Sequence, residues 1–211
     1  MKCTGEKSIR LNIETKLDPL APAETWPVAK YSELIPLLKK AGFADRSYIQ
    51  SFDWRTLRAI KRAYPRTRIV ALLDDTTVVP EDRGVGGWPW LGGINLDKQF
   101  KGDWVAAAAS IGASVLSPVH GYGGATVNSE GYVAFTTKEV VRRAKKLGME
   151  VVPWTVDDES SIRKVIEDGV QGVISNYPER VDFVARDLGV SAGTKGRVVP
   201  QRCLKNAALK L

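Results

Sequence analysis

Arg68-Ile69-Val70-Ala71-Leu72-Leu73 is an apolar run of strand length opened by a single arginine. A half-buried strand alternates apolar and polar residues. An unbroken run of five, Ile69–Leu73, is covered on both faces, as in a parallel sheet. On its N-terminal side, Asp53 to about Tyr64 reads as a helix. Asp53 is a good N-cap, Leu57, Ile60 and Ala63 or Tyr64 give the helical period, and Pro65 ends it. Ser47–Phe52 before it reads as a strand. Further back, a helix capped by Ser32 runs to Ala41 through Leu34, Leu37 and Leu38, with Gly42 as its stop and Pro36 limiting its first turn. Asp18–Pro27 is a proline-rich loop, and Ser8–Leu17 is the first strand.

The same alternation continues downstream. Asp74–Lys101 reads as one long irregular segment around Trp88-Pro89-Trp90, and loops of this length usually serve a site or lack order. A helix over Asp103–Ile111 leads to a strand at Ser114–Pro118 and then to a glycine-rich loop, His120–Phe135. Next come a helix at Thr137–Leu147, a strand at Glu150–Thr155, a helix at Asp157–Glu167 and a strand at Val170–Ser175. The last helix, Pro178–Leu188, has proline at its first position.

Six strands each followed by a helix predict an α/β fold with a parallel sheet. No GxGxxG or GxxxxGK[ST] follows a strand, which argues against a doubly wound nucleotide-binding fold. The expected architecture is a TIM-barrel-like (β/α) fold with six of eight βα units present. Residues 1–188 form the expected partial barrel domain, and residues 189–211 an expected flexible basic tail.

Charge supports that division. Of the net +7, five charges sit in Gly189–Leu211, which holds Lys195, Arg197, Arg202, Lys205 and Lys210 and no acid. The rest of the chain is close to neutral. No aromatic residues interleave with the tail's cations, so a nucleic-acid partner that stacks its bases is not expected. No apolar run approaches the roughly 20 residues of a membrane span, and Met1–Leu11 is too polar for a signal peptide. Cys3 and Cys203 make neither a metal motif nor a disulfide framework. His120 is the only histidine, so a mechanism built on two histidines cannot be assembled from this sequence.

Within Ser8–Leu17, Leu11 and Ile13 share one strand face, and Asn12, Glu14 and Lys16 share the other. Two readings are open for Glu14 and Lys16. They form a solvated ion pair, or they hold a metal and an anion side by side.

Four blocks then match a known family in order and spacing. They are Asn12-Ile13-Glu14-Thr15-Lys16, Ile49-Gln50-Ser51-Phe52-Asp53-Trp54, Val151-Val152-Pro153-Trp154-Thr155-Val156-Asp157-Asp158, and Asp168-Gly169-Val170-Gln171-Gly172-Val173-Ile174-Ser175-Asn176-Tyr177-Pro178. From about Ile9 to Val184 the chain resembles the glycerophosphodiester phosphodiesterases. That resemblance implies a (β/α)₈ barrel and a metal-assisted hydrolysis that releases an alcohol and sn-glycerol 3-phosphate from a small-molecule glycerophosphodiester. It implies Glu14 as a carboxylate ligand to Mg²⁺ or Ca²⁺ and Lys16 as the phosphate contact. Phe52 and Trp154 would line the apolar side of the pocket. Oxygen ligands suit a hard cation, and lysine suits charge on a phosphoryl oxygen.

The family's catalytic residues do not carry over. Its His-Arg-Gly turn, its Glu-x-Asp pair and its second histidine have no counterpart here, so no catalytic residue is assigned. His120 matches neither family histidine and reads as a loop residue at the catalytic rim. Asp74 and Asp75 stand at the same rim, where acids also serve turns. The expectation is a truncated relative with open barrel edges, exposed to self-association. The rival expectation is a non-catalytic remnant that binds a phosphorylated ligand or packs with a partner chain.

Overall fold

The computed structural model describes residues 8–80 and 87–191. Cys3, Cys203, Gly84, Gly86 and most of the basic tail lie outside the described residues.

Five strands form one sheet in sequence order: β1 (Leu11–Glu14), β2 (Ser47–Ser51), β3 (Arg68–Leu73), β4 (Val115–Pro118) and β5 (Glu150–Val151). Every neighbouring pair is parallel. Parallel neighbours in strict order mean that each crossover advances the sheet by one strand, which is the winding of a (β/α) barrel. The register places Asn12, Tyr48 and Arg68 in one row, then Glu14 beside Gln50 and Gln50 beside Val70. Strand periodicity sends these residues to one face, and Ile49, Ile69, Ala71, Leu73, Leu116 and Val151 to the other. Those six are fully or almost fully buried in the main core. Each large aliphatic among them contributes about 1.5–3 kcal/mol by leaving water.

The first five helices supply the other half of that core, and the last two enclose a second cluster of Val156, Ile162, Val165 and Val184. In chain order the helices are α1 (Leu34–Ala41), α2 (Trp54–Ala63), α3 (Leu96–Phe100), α4 (Trp104–Ser110), α5 (Lys138–Lys146), α6 (Glu159–Glu167) and α7 (Pro178–Asp187). Side-chain oxygens close several helix starts. Asp53 accepts from the Arg55 amide at 3.0 Å, Asp103 from Ala106 at 2.9 Å, Thr137 from Val140 at 3.2 Å and Asp158 from Ser161 at 2.9 Å. Asp53 is fully buried and also holds the Arg55 guanidinium at the β2–α2 junction.

Three local expectations change. Ser32 does not cap α1, because its hydroxyl donates to the Ala29 carbonyl at 2.7 Å within a 3₁₀ segment, Val28–Glu33. The α-helix begins only at Leu34, so Pro36 falls in its first turn, where a missing N–H costs no hydrogen bond. Asp74–Lys101 is not wholly irregular, since Asn95 caps the short helix α3 by accepting from Lys98 at 2.9 Å. The sixth strand expected at Val170–Ser175 is not a regular strand. Gln171 donates its amide to Val151 O at 3.0 Å, but its side-chain oxygen accepts from the Val151 amide at 2.8 Å. A side chain thus takes the place of a ladder carbonyl. The segment then rejoins Pro153 and Val156 through Ile174.

Among the described residues, no helix is long and apolar enough to cross a membrane.

Candidate active site

Glu14 ends β1 on the face opposite the main core. The next residue, Thr15, is buried and anchors the strand tip. Its amide donates to Gln50 O at 2.9 Å, and Ser51 Oγ donates to Thr15 O at 2.9 Å. Lys16 Nζ then reaches back to Glu14 Oε1 at 2.9 Å. The lysine side chain is 81% exposed and the glutamate side chain 24%. An ion pair this open to water contributes only about 0–1 kcal/mol to stability. The ammonium can therefore be shared with an incoming anion at little cost to the fold. The structure brings Glu14 and Lys16 together as an ion pair, one of the two readings that the sequence left open.

Phe52 lies two residues beyond Gln50, at the same C-terminal end of the sheet. Its ring meets Trp154 edge-on, with centroids 5.2 Å apart and planes at 87°. On its other side it meets Trp90 at 6.4 Å and 78°. Edge-to-face pairs of this kind add about 0.5–1.5 kcal/mol beyond burial. Trp154 is fixed by its indole N–H, which donates to Ser117 O at 2.8 Å. Trp90 is placed by its carbonyl, which accepts from the Trp54 amide at 2.9 Å. Gly92 allows this loop to lie on α2: it has φ +66°, and a Cβ there would stand 3.1 Å from the Arg55 nitrogen. Phe52 and Trp154 thus share one aromatic wall with Trp90, which the sequence reasoning did not single out. The available signal was Trp88-Pro89-Trp90 in a long loop at the catalytic end of the strands.

His120 sits just past β4 but does not open to the rim, being only 2% exposed. Its amide donates to Trp154 O at 3.1 Å, and its carbonyl accepts from Phe135 and Thr136. Its Nδ1 is buried without a hydrogen-bond partner. Gly121 beside it leaves no room for a side chain, since a Cβ would fall 2.3 Å from Ala125 O. Burial holds the imidazole below its ordinary pKa. Asp158 and Asp157 oppose that shift, and Lys164 adds to it. The buried ring is therefore neutral where a free histidine charges. His120 contributes stability that is fully present above a pH of about 6.5 and falls as the unfolded chain takes up a proton that the folded chain refuses. Urea unfolding at stepped pH should show stability declining below that point by up to about 1.4 kcal/mol per pH unit from this residue. His120→Gln should flatten the decline, and an unchanged slope would show that the ring is not buried neutral.

Asp74 belongs to a turn. Its carboxylate accepts from the amides of Thr76 and Thr77, each at 2.9 Å. Asp75 accepts from the Gly123 amide at 3.3 Å. Among the described residues, no group of three histidine, cysteine or carboxylate side chains could hold a metal ion. Glu14 offers one carboxylate, and a hard cation such as Mg²⁺ or Ca²⁺ takes six or more oxygen ligands. The described residues do not make a complete site for such a cation.

A sequence model of the glycerophosphoryl diester phosphodiesterase family matches residues 5–180. A glycerophosphodiester phosphodiesterase of Caldanaerobacter subterraneus subsp. tengcongensis is 25% identical over 185 residues, which is 88% of this chain and 59% of that protein. The crystal structure of a proposed glycerophosphoryl diester phosphodiesterase from Silicibacter pomeroyi superposes with a TM-score of 0.62 at 25% identity, over 86% of this chain and 52% of the other. An Oleispira antarctica phosphodiesterase, solved with its product sn-glycerol-3-phosphate, shares the fold with a TM-score of 0.56 at 17% identity, over 85% of this chain and 56% of the other. The chain thus spans between half and three-fifths of the length of these proteins.

Proposed function

The chain belongs to the glycerophosphoryl diester phosphodiesterase family, and on that premise we propose that its rim is the substrate-holding part of a site for glycerophosphodiester hydrolysis. One observation carries the proposal. A carboxylate–ammonium pair and an aromatic wall both stand at the C-terminal end of the parallel sheet, the end where (β/α) barrels place their chemistry.

Lys16, on its exposed stem, contacts the phosphate as a point charge, and it is the group that would meet charge building on a phosphoryl oxygen. Phe52, Trp90 and Trp154 form the apolar wall against which the alcohol or glycerol carbons rest. Glu14 is the one oxygen ligand that this rim offers a divalent cation, and the remaining ligands must come from outside the described residues. Such a cation, completed by those further ligands, would polarise the phosphoryl oxygen and lower the pKa of an attacking hydroxyl. Proton transfer is a separate matter. The one histidine is buried beneath the rim, so the described residues bind and orient the ester without supplying an acid–base pair.

The test is a pair of measurements on the folded chain. Titration with sn-glycerol 3-phosphate should show binding, while glycerophosphocholine incubated with Mg²⁺ or Ca²⁺ should release no glycerol 3-phosphate. Metal-dependent release, abolished by EDTA, would overturn the assignment of these residues to binding alone. The metal role of Glu14 is read from the same titration. In the unaltered chain, affinity should be higher with Mg²⁺ or Ca²⁺ than with EDTA, and Glu14→Gln should erase that difference. A difference that survives the substitution would remove Glu14 from the metal's surroundings.

A further inference from the structure

At the opposite end of the same strands, on the same face as Glu14, the side chains of Arg10 and Arg68 converge on Tyr48. Arg10 Nη1 donates to the Tyr48 hydroxyl oxygen at 2.9 Å, and Arg68 Nη1 donates to that oxygen at 2.8 Å. Both guanidiniums also lie against the ring, with Cζ 6.0 Å (Arg10) and 4.9 Å (Arg68) from its centroid. Arg68 Nη2 donates to the Asp45 backbone carbonyl at 3.1 Å. Among the described residues, no carboxylate pairs with either arginine.

Two like charges held on one neutral oxygen repel each other. With both N–H groups spent on that oxygen, the tyrosine's own proton has no acceptor among the described hydrogen bonds. Among the described residues the cluster thus offers a surplus of donors and of positive charge and lacks an anion. Guanidinium forks match the oxygens of phosphate, and two of them match its two charges.

We propose that Arg10, Tyr48 and Arg68 form a binding site for a phosphate dianion, separate from the rim that holds Glu14 and Lys16. Along the sheet Arg10 lies four residues and the Tyr48–Arg68 row two residues before Glu14, rises of about 13 and 7 Å, so substitution at Lys16 tells the two sites apart. The site does not depend on the function proposed for the rim.

Thermal unfolding with inorganic phosphate tests it, with sodium chloride exchanged to keep ionic strength constant. Lys16→Met serves as the starting chain, so that the rim cannot answer for the result. Phosphate at about twenty times its dissociation constant should raise the Tm by about 4–7 °C. Arg68→Gln and Arg10→Gln should each lower phosphate affinity at least about tenfold, and Tyr48→Phe only a few-fold, since it removes one uncharged donor. Arg10 is exposed, so Arg10→Gln gives a decisive reading if Arg68→Gln fails to fold. No rise in Tm in the Lys16→Met chain, or an equal rise in the Arg10→Gln chain, would overturn the site. So would self-association that Arg10→Gln abolishes while phosphate has no effect, because the acceptor would then be a carboxylate of a second copy.

Discussion

Lys16→Met is expected to weaken binding of sn-glycerol 3-phosphate by about 10- to 100-fold while leaving the fold intact. The substitution keeps the length and most of the apolar stem and removes only the charge. A hydrogen bond to a charged group is worth about 1.5–3 kcal/mol, which converts to that range of affinity. The effect on folding should be small, because the pair that Lys16 makes with Glu14 is largely solvated. Isothermal titration and urea unfolding on the same preparations separate the two quantities. An affinity within twofold of the unaltered chain would show that the phosphate does not meet Lys16. A large loss of stability would show that the lysine serves the fold. Phe52→Ala is a useful comparison, since it thins the aromatic wall without touching the cation.

Trp54→Ala should have the largest effect on stability. Trp54 is fully buried and begins α2 immediately after the buried cap Asp53. Its indole N–H donates to Leu72 O at 3.0 Å, which ties the helix start to β3. Removing a buried tryptophan side chain costs about 3–5 kcal/mol through lost burial and the cavity left behind. That is a large fraction of the 5–15 kcal/mol by which folded domains are stable. Trp54→Phe keeps most of the apolar volume and loses the N–H, so it should cost less, about 1–3 kcal/mol. Guanidinium unfolding of the two variants distinguishes the packing contribution from the hydrogen bond. If Trp54→Ala cost less than about 1 kcal/mol, the β2–α2 junction would not depend on this ring. Because the Trp54 amide also holds Trp90 O, a destabilised junction should weaken ligand binding at the aromatic wall as well.

Arg68–Leu73 shows why much of the fold could be read in advance. A run of apolar residues that long has no solvated face, and the observed strand has the predicted bounds. The Asp53 cap was legible for the same local reason, whereas the Ser32 cap expected for α1 did not form. Asp53, Asp158 and Thr137 satisfy amides two or three residues along the chain, so the residue types and their spacing contain the whole interaction. Glu14 and Lys16 on one strand face followed from period-two geometry alone.

Other features depend on groups distant in sequence. Gln171 replaces a ladder carbonyl only because β5 lies beside it, so nothing within Val170–Ser175 marks the strand as irregular. Trp90 joins Phe52 because its carbonyl meets the start of α2, a contact across some 36 residues that no spacing rule describes. His120 looked like a rim residue, and packing with Trp154, Phe135 and Thr136 buried it. The Arg10–Tyr48–Arg68 cluster arises only when β2 and β3 set Tyr48 beside Arg68 and the chain entering β1 brings Arg10 to the same hydroxyl. The amino-acid sequence by itself determined the parallel α/β winding and the Asp53 cap, because burial pattern and short-range hydrogen bonds are properties of neighbouring residues. The aromatic wall, the neutral buried histidine and the paired arginines were decided by tertiary structure, because each is a contact between side chains that only the register of the sheet brings within reach.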